Sequence, residues 1–401
     1  TYNFDKITNR KGTNCLKYDF AVERGKPADV LPLWVADMDF PVSEEISKSL
    51  HAAVEHGIYG YSQPKDAYYN AVMNWMERNH NWKTEREWIV KTPGVVFALG
   101  AAVKAFTDPG DAILIQNPVY YPFTNIIRDN DRRVVDNTLI YEKTAGQSGD
   151  NGYRIDFEDF ERKLEQEHIK LFILCNPHNP VGRVWTAEEL QQLGEICLRH
   201  HVIVVSDEIH NDFVYPGYEH TVFATVDPRF AEFTVTCTAP SKTFNLAGLQ
   251  ISNIFIPNEK LRKAFQTEID KTGYDEPNAL GIVACEAAYR AGEDWLDQLR
   301  AYLLKNLNFL RNFLQEKIPQ IHLVEPEGTY LVWLDCSELG ITGKELDQFI
   351  VDKAGLWLDG GSMFGPSGAA FQRVNIACPQ ATLELALNKL KAAVEGYRNH
   401  L

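Results

Sequence analysis

Short apolar runs alternate with amphipathic helical stretches through the middle of this chain, and this alternation limits the possible folds more than any other feature. The apolar runs occupy residues 112–115, 170–175, 202–205 and 233–237. A helical stretch at 186–199 begins at Thr186 and carries Glu189 three residues later, the pattern of a capping box. Buried-type strands separated by helices are typical of βαβ units around a mostly parallel sheet. The sequence therefore predicts an α/β fold.

The two ends of the chain predict a second, smaller unit. Residues 43–77 have a helical pattern that is broken at 57–64, and a long helical region runs over 258–314. A strand at 330–335 and a final helix at 381–398 follow, which gives this end an α+β character. We expect a large domain at 45–285 and a small domain formed by 1–44 together with 286–401. The length of 401 residues allows more than one core.

Charge and cysteine usage exclude several classes of partner. The chain has 40 Lys and Arg against 55 Asp and Glu, a net charge of −15, which disfavours nucleic-acid binding. No apolar stretch approaches the roughly 18 residues that cross a membrane, and the first residues lack the apolar core of a signal peptide. The seven cysteines are scattered without a Cys-x-x-Cys pair, which favours free thiols. We expect a cytoplasmic protein without nucleic-acid or membrane partners.

Three of the apolar runs end in reactive groups. The run 170–175 leads into Asn-Pro-His-Asn-Pro, the run 202–205 leads to Asp207, and the run 233–237 leads to Ser241 and Lys242. In an open α/β sheet such strand ends meet at one edge, where ligands bind. Gly94 precedes a further helix, whose first N–H groups suit an anion. The ligand implied has an anionic end, a cationic ring atom and an electrophile for an amine, and pyridoxal phosphate (PLP) has all three.

Several segments also resemble one known family. Asp-Glu-Ile-His at 207–210, Ser-Lys-Thr-Phe-Asn at 241–245 and Asn-Pro-His-Asn-Pro-Val-Gly at 176–182 resemble motifs of the fold-type-I PLP enzymes. Trp-Val-Ala-Asp-Met-Asp-Phe at 34–40 and Tyr-Gly-Tyr at 59–61 resemble the cystathionine and cysteine C–S β-lyases, a subgroup related to class I and II aminotransferases. The resemblance covers nearly the whole chain. It implies a large domain with a mostly parallel seven-stranded sheet, a smaller α+β domain, a PLP cofactor and a homodimer with shared active sites.

The resemblance implies a role for each matching residue. Lys242 would hold the cofactor covalently and then move protons at the substrate Cα. Asp207 would keep the ring nitrogen protonated, and Tyr120 would stack on the ring; these three are the catalytic residues implied. The other cofactor-binding residues implied are Gly94, Val95, Val96, Asn179, His210, Ser241 and, from the neighbouring subunit, Tyr61. The substrate-binding residues implied are Arg373, Asn179, Ala36 and Tyr61. A cis peptide bond is expected between Asn179 and Pro180.

The function implied is the cleavage of L-cystathionine or a cysteine S-conjugate to a thiol, pyruvate and ammonia. Two positions depart from the aminotransferase pattern, because His210 stands where a Tyr is usual and Gln250 stands where an Arg is usual. An aminotransferase shares every cofactor contact and stays an alternative. A PLP-binding protein with an added regulatory or interaction role is a second alternative.

Other readings of the same residues receive less support. Asp207, Glu208 and His210 suggest a metal site, but no second cluster of ligands accompanies them, and we expect no metal. No Gly-x-Gly-x-x-Gly follows a strand, which argues against a nicotinamide cofactor. Lys242 lacks the upstream glycines of a nucleotide-binding phosphate loop. For Arg373, a buried structural ion pair is the rival of substrate binding.

Overall fold

A computed structural model of the chain describes residues 1–143 and 150–399. The strands in this part of the chain are β1 (Leu31–Pro32), β2 (Ile89–Thr92), β3 (Ala112–Ile115), β4 (Arg133–Asp136), β5 (Ile140–Tyr141), β6 (Tyr153–Arg154), β7 (Leu171–Cys175), β8 (Ile203–Asp207), β9 (Thr234–Thr238), β10 (Ser252–Phe255), β11 (His322–Leu323), β12 (Leu331–Asp335), β13 (Leu356–Trp357), β14 (Asp359–Gly360) and β15 (Phe371–Asn375). The helices are α1 (Leu16–Asp19), α2 (Glu44–His56), α3 (Asp66–His80), α4 (Val95–Phe106), α5 (Pro122–Asp129), α6 (Phe157–Gln166), α7 (Ala187–Arg199), α8 (Pro240–Thr243), α9 (Glu259–Asp270), α10 (Ala279–Ala291), α11 (Glu293–Lys317), α12 (Gly343–Asp352) and α13 (Gln380–Arg398).

The central sheet has seven strands in the order β2-β10-β9-β8-β7-β3-β4. The neighbouring pairs from β9 to β4 are parallel, and β10 runs antiparallel to both of its neighbours. The inner strands β3, β7 and β9 are buried along their whole length. Apolar side chains cover both faces, with α4, α5 and α9 on one side and α6 and α7 on the other. The prediction of a mostly parallel, seven-stranded sheet is confirmed.

The register of three central strands aligns their carboxyl ends. Asp207 at the end of β8 lies opposite Cys175 of β7 on one side and Cys237 of β9 on the other. From these level positions the chain enters the turn at 176–182, the loop after Asp207, and helix α8. Groups that are far apart in sequence therefore reach the same edge of the sheet.

A second sheet lies in the C-terminal part of the chain. It is antiparallel and has the order β11-β12-β15-β14. The N-terminal segment joins this part, because β1 pairs in parallel with β13. The backbone N–H of Asp39 also donates to the carbonyl of Ala377 at 3.0 Å. This pairing agrees with the expected grouping of the two ends of the chain.

The predicted helical region at 258–314 is divided into the three helices α9, α10 and α11. A turn after α9 contains Gly273 with a φ of +81°, and the side chain of Asn278 then caps α10 by accepting from the N–H of Leu280 and Gly281. Gly292 ends α10 and precedes α11. The expected domain boundary at 285–286 falls within α10, which packs against α2 and α3. The division into domains stays a prediction.

Two helical glycines form a matched pair for testing the packing of the large sheet. A Cβ on Gly194 of α7 would lie 2.1 Å from the ring of Phe230, which is fully buried, whereas a Cβ on Gly396 of α13 would have nothing within 4 Å. We expect Gly194→Ala to lower the free energy of unfolding by about 1–3 kcal/mol through overpacking. Gly396→Ala should raise it by up to about 1 kcal/mol through helix propensity. Urea denaturation measures both, and a Gly194→Ala variant that is as stable as the wild type would contradict the packing of α7 against Phe230.

Candidate active site

A cavity of about 200 Å³ lies at the carboxyl ends of β7, β8 and β9. It contains most of the site residues that the sequence predicts, with Arg373 and Tyr61 outside its lining. The predicted residues that line it are Ala36, Gly94, Val95, Val96, Tyr120, Asn179, Asp207, His210, Ser241 and Lys242. The fold thus brings these residues together, while their individual roles stay predictions.

One end of the cavity suits an anion. Helix α4 begins at Val95, and its N-cap residue Gly94 supplies no side-chain acceptor. The first backbone N–H groups of a helix have no acceptor within the helix and carry the positive end of its dipole. The Ser241 side chain borders the same space. Gln250, by contrast, is exposed and does not line the cavity. Neutral donors are therefore what the chain offers to a phosphate here.

Asp207 lies deep in the cavity wall with little compensation for its charge. Its Oδ1 accepts a hydrogen bond of 3.2 Å from the backbone N–H of Ile209. Burial raises the pKa of Asp207 to about 7, although the backbone hydrogen bond and the charge of Lys242 act in the opposite direction. A cationic group brought beside this carboxyl would stabilise its ionised form. A protonated pyridine nitrogen is such a group.

Lys242 occupies the short helix α8, which starts with Pro240 directly after β9. Burial lowers the pKa of Lys242 to about 8, and the nearby charge of Arg373 adds to this effect. At neutral pH a useful fraction of the amine is therefore unprotonated. A neutral amine at this position can act as a nucleophile towards an aldehyde or as a base.

Arg373 connects the cavity with the small sheet. Its Nη1 donates to Asn179 Oδ1 at 3.2 Å, and its Nη2 donates to Asp359 Oδ2 at 2.6 Å and to the carbonyl of Trp34 at 2.9 Å. Among residues 1–143 and 150–399, the buried Nε of Arg373 has no hydrogen-bond partner. The guanidinium is thus part of a buried ion pair, which was the alternative hypothesis for this residue. It also keeps a buried N–H donor, and a substrate carboxylate could accept a hydrogen bond from it. The Asn179–Pro180 peptide bond is cis, as predicted.

Tyr120 and His210 form two further parts of the wall. The Tyr120 backbone N–H donates to the carbonyl of Asn179 at 3.1 Å, which ties the tyrosine to the turn at 176–182. Burial raises the pKa of Tyr120, so its hydroxyl stays protonated.

His210 is another part of the wall. Burial lowers the pKa of His210 to about 3, with Lys242 and Arg373 acting in the same direction. His210 is therefore a neutral imidazole, and its buried Nδ1 has no hydrogen-bond partner in the part of the chain that the structure describes.

Tyr61 lies away from the cavity of its own chain. It is in the break between α2 and α3, and it is 96% exposed. Its neighbours Ile58 and Tyr59 are also exposed. Nothing in its own chain therefore supports a role for Tyr61 in this cavity, and its predicted role requires a second subunit.

Asp212 is a buried residue that the sequence analysis missed. Its carboxylate accepts hydrogen bonds from Thr243 Oγ1 at 2.8 Å and Trp75 Nε1 at 3.1 Å, and it pairs with His80 Nε2 at 2.7 Å. Burial by itself would raise the pKa of Asp212, but His80 and these hydrogen bonds hold it below its ordinary value. Because Thr243 follows Lys242, this network fixes α8. In the sequence, the only indication of such a role is that Asp212 lies five residues after Asp207.

The donor set fits PLP. One space is surrounded by a buried carboxyl, an amine with a lowered pKa, a helix N-terminus, an aromatic ring and an amide, and these are the groups that the cofactor requires.

A metal has less support, because Glu208 is paired with Ser206 Oγ at 2.7 Å and His220 Nε2 at 2.8 Å. Over residues 1–143 and 150–399 no group of three His, Cys, Asp or Glu side chains is placed to hold a metal ion. No helix in these ranges is long and apolar enough to cross a membrane.

Comparisons with known proteins agree with this fold and with a PLP cofactor. Residues 28–390 match the family described as aminotransferase class I and II. Cystathionine beta-lyase PatB of Bacillus subtilis is 46% identical over 392 residues, 98% of this chain and 100% of that protein. The crystal structure of cystalysin from Treponema denticola, which contains a PLP cofactor, superposes with a TM-score of 0.94 at 37% identity over 99% of each chain. The PLP-bound C–S lyase of Staphylococcus hominis has a TM-score of 0.90 at 35% identity, over 98% of each chain.

The chain belongs to the aminotransferase class I and II family, whose members are PLP-dependent enzymes of fold type I. The predicted fold class and the predicted cofactor are thereby confirmed.

Asp207 gives a pH-dependent prediction for the cofactor-free protein. Its pKa of about 7 in the folded state exceeds the unfolded value near 3.8, so ionisation of this carboxyl destabilises the fold as pH rises. Asp207→Asn removes this cost. We expect the substitution to raise the free energy of unfolding by roughly 2–4 kcal/mol at pH 8, with the gain growing from about pH 4 and levelling off above pH 7.

Urea denaturation at several pH values measures this effect, and PLP titration of the same variant supplies the functional counterpart. Asp207→Asn should bind PLP more weakly, because an amide cannot hold the ring nitrogen in its charged form. A gain in stability that is constant from pH 4 to pH 8 would contradict the assigned pKa.

Proposed function

We propose that this PLP-dependent enzyme is a carbon–sulfur β-lyase. It cleaves L-cystathionine or a cysteine S-conjugate, and with one water the products are a thiol, pyruvate and ammonium. The cavity carries the chemistry of the proposal, since Lys242, Asp207 and Asn179 line one space and Arg373 donates to Asn179 from outside that lining. The full-length similarity to a protein named cystathionine beta-lyase selects this reaction over others in the family.

Substrate binding is assigned to Arg373 and Asn179. The buried Nε of Arg373 lacks an acceptor, and a substrate α-carboxylate would provide one in a charge-assisted hydrogen bond. Because Nη2 donates to Asp359 and to the Trp34 carbonyl while Nη1 donates to Asn179, the plane of the guanidinium is fixed before the substrate arrives. A fixed guanidinium orients the substrate Cα–H bond at little entropic cost.

Proton movement at Cα is assigned to Lys242. When bound, PLP supplies an electron sink for the charge that develops at Cα. Asp207 maintains the positive charge of the ring nitrogen, and the N–H groups at the start of α4 with Ser241 hold the phosphate. The lowered pKa of Lys242, about 8, suits removal of the Cα proton near neutral pH. The electron pair left at Cα then expels the thiolate from Cβ.

The decisive experiment follows product formation in the holoenzyme. We expect L-cystathionine to yield pyruvate and thiol in equal amounts, measured by a coupled reduction of pyruvate and by a thiol reagent. Lys242→Ala should abolish both products, because the group that moves the Cα proton is lost. Lys263→Ala, which alters an exposed lysine paired with Glu259, is the matched control and should retain activity.

Two results would contradict the proposal. Pyruvate release that survives in Lys242→Ala would remove this lysine from the reaction. Transfer of the amino group to an added 2-oxo acid, without release of thiol, would identify an aminotransferase instead.

A homodimer with shared active sites forms a further part of the proposal. Val54, Ile58, Tyr59 and Tyr61 expose apolar surface at the end of α2 and in the following break. Such a group of exposed aliphatic and aromatic side chains is unfavourable in water unless another surface covers it. A second copy of the chain would cover it and would bring Tyr61 to the cofactor phosphate of that copy.

Tyr61→Phe tests the shared site. Loss of one hydroxyl bond to the phosphate should weaken PLP retention by about 1 kcal/mol, a roughly fivefold effect, with the fold intact. Tyr59→Phe alters the same loop and is the control. In a second test, mixed chains carrying Tyr61→Ala and Lys242→Ala should recover activity, because each heterodimer contains one complete site. If the subunits exchange and no activity returns, Tyr61 does not complete its partner's site.

The location of the enzyme and its division into domains complete the proposal. We place the enzyme in the cytoplasm, a location supported by seven cysteines that are all unpaired in the described part of the chain, six of them buried. We also retain a large PLP-binding domain at 45–285 and a small domain of 1–44 with 286–401. The pairing of β1 with β13 supports the second grouping.

A further inference from the structure

The segment 360–368 leads into β15 and carries a buried aromatic side chain that the proposed chemistry does not use. Phe364 is 1% exposed and belongs to the apolar core that also contains Phe160 and Trp333. It is not in the lining of the cofactor cavity. Any influence of Phe364 on the reaction must therefore pass through a residue that it contacts.

Phe364 contacts Arg373 through the face of its ring. The guanidinium lies over that ring, with Cζ 5.1 Å from the ring centroid. Arg373 is buried like Phe364, so the contact is shielded from water. A guanidinium is attracted to an aromatic face, and the attraction is stronger where water is excluded. The ring therefore stabilises the guanidinium in the position that it has in the structure.

The ring and the hydrogen bonds of Arg373 restrain different parts of the guanidinium. Nη1 donates to Asn179, and Nη2 donates to Asp359 and to the carbonyl of Trp34. The N–H donors of a guanidinium lie in its plane, so these bonds hold its edge, whereas the ring of Phe364 supports its face. The buried Nε–H, which has no acceptor in the described part of the chain, belongs to the same rigid plane. Its direction is thus set by both kinds of contact.

Two other aromatic side chains hold the ring of Phe364. The Trp333 ring lies 5.4 Å from it at an interplanar angle of 82°, and the Tyr121 ring lies 5.7 Å from it at 67°. Both are edge-to-face contacts, an arrangement that aromatic pairs favour. Trp333 is also the residue of β12 that lies opposite Arg373 of β15. The ring of Phe364 is therefore fixed relative to the strand that carries the guanidinium.

The backbone of this segment is held in place as well. A Cβ on Gly361 would lie 1.8 Å from the carbonyl oxygen of Gly368, so the two ends of the segment approach more closely than side chains would allow. Gly365 has a φ of +124°, which a glycine adopts without strain. The carbonyl of Phe364 accepts a hydrogen bond of 3.0 Å from the Val119 N–H. Phe364 is therefore presented to Arg373 from a defined backbone position.

We propose that Phe364 is a positioning residue for substrate binding. Its ring supports the Arg373 guanidinium and so directs the free Nε–H towards the α-carboxylate of the substrate. The contact thereby contributes to the preference of the enzyme for amino acids over amines that lack this carboxylate. The inference rests on the substrate role that the proposed function gives to Arg373, and it adds a residue that orients this group.

A matched pair of ligands isolates the carboxylate. L-methionine and 3-(methylthio)propylamine differ only in the α-carboxylate, and neither has a leaving group on its β-carbon. The absorbance of the cofactor in the holoenzyme reports the binding of each ligand, and the measured quantity is the Kd of the amine divided by the Kd of the amino acid. We expect Phe364→Leu to lower this ratio about fivefold, because one buried cation–π contact is lost. The Kd of the amine should stay within about twofold of the wild-type value.

Phe160→Leu is the matched control, because it removes a ring of the same size from the same apolar core, where Phe160 packs edge-to-face on Phe172. It should leave the ratio within about twofold of the wild type. Phe364→Met, which also lacks a ring, should give the same fall as Phe364→Leu and replaces it if that variant does not fold. An unchanged ratio in the Phe364 variants, an equal weakening of both ligands, or an equal fall in Phe160→Leu would overturn the proposal.

Arg373→Lys distinguishes a failure of this inference from a failure of the proposed function. It keeps the positive charge but removes the Nε–H donor, and it should lower the ratio by roughly tenfold or more. If Arg373→Lys keeps the wild-type ratio, the substrate role of Arg373 is contradicted. If Arg373→Lys lowers the ratio and the Phe364 variants do not, only the role of Phe364 is overturned.

Discussion

The parallel register of β7, β8 and β9 is the constraint on which the rest of the site depends. Asp207 lies level with Cys175 and Cys237, so the chain leaves all three strands at one edge of the sheet. This register brings together the turn with Asn179, the carboxyl of Asp207 and the helix with Lys242. A slip of one strand by one residue would turn its side chains to the opposite face and separate these groups.

Burial gives this edge its reactivity. The same low-dielectric surroundings raise the pKa of Asp207 and lower that of Lys242. The pKa values of this carboxyl and this amine are therefore both closer to 7 than they are in water. Keeping such groups buried costs folding free energy. The Asp212 carboxylate, by contrast, has close partners in His80 and Thr243, and the contact with Thr243 holds α8 in place.

Arg373 joins the small sheet to the edge of the large sheet where the cavity lies. It originates in the small sheet, contacts Asn179 in the turn after β7, and is anchored by Asp359 and by Trp34 from the N-terminal segment. From the sequence alone, a structural ion pair and a substrate contact are rival hypotheses for this residue. The geometry makes them compatible, because the ion pair uses Nη2 and leaves the buried Nε free.

The sequence by itself determined the strands β3, β7, β8 and β9 with helices between them, the reactive groups at the ends of three of these strands and the match to a PLP family, because periodicity and turn residues are local properties of the chain. The tertiary structure decided what depends on distant segments. Arg373 meets Asn179 across 194 positions, and Asp212 meets His80 across 132. The division of the region 258–314 into three helices likewise follows from packing. Such contacts arise from sheet register and helix packing, which no local pattern encodes.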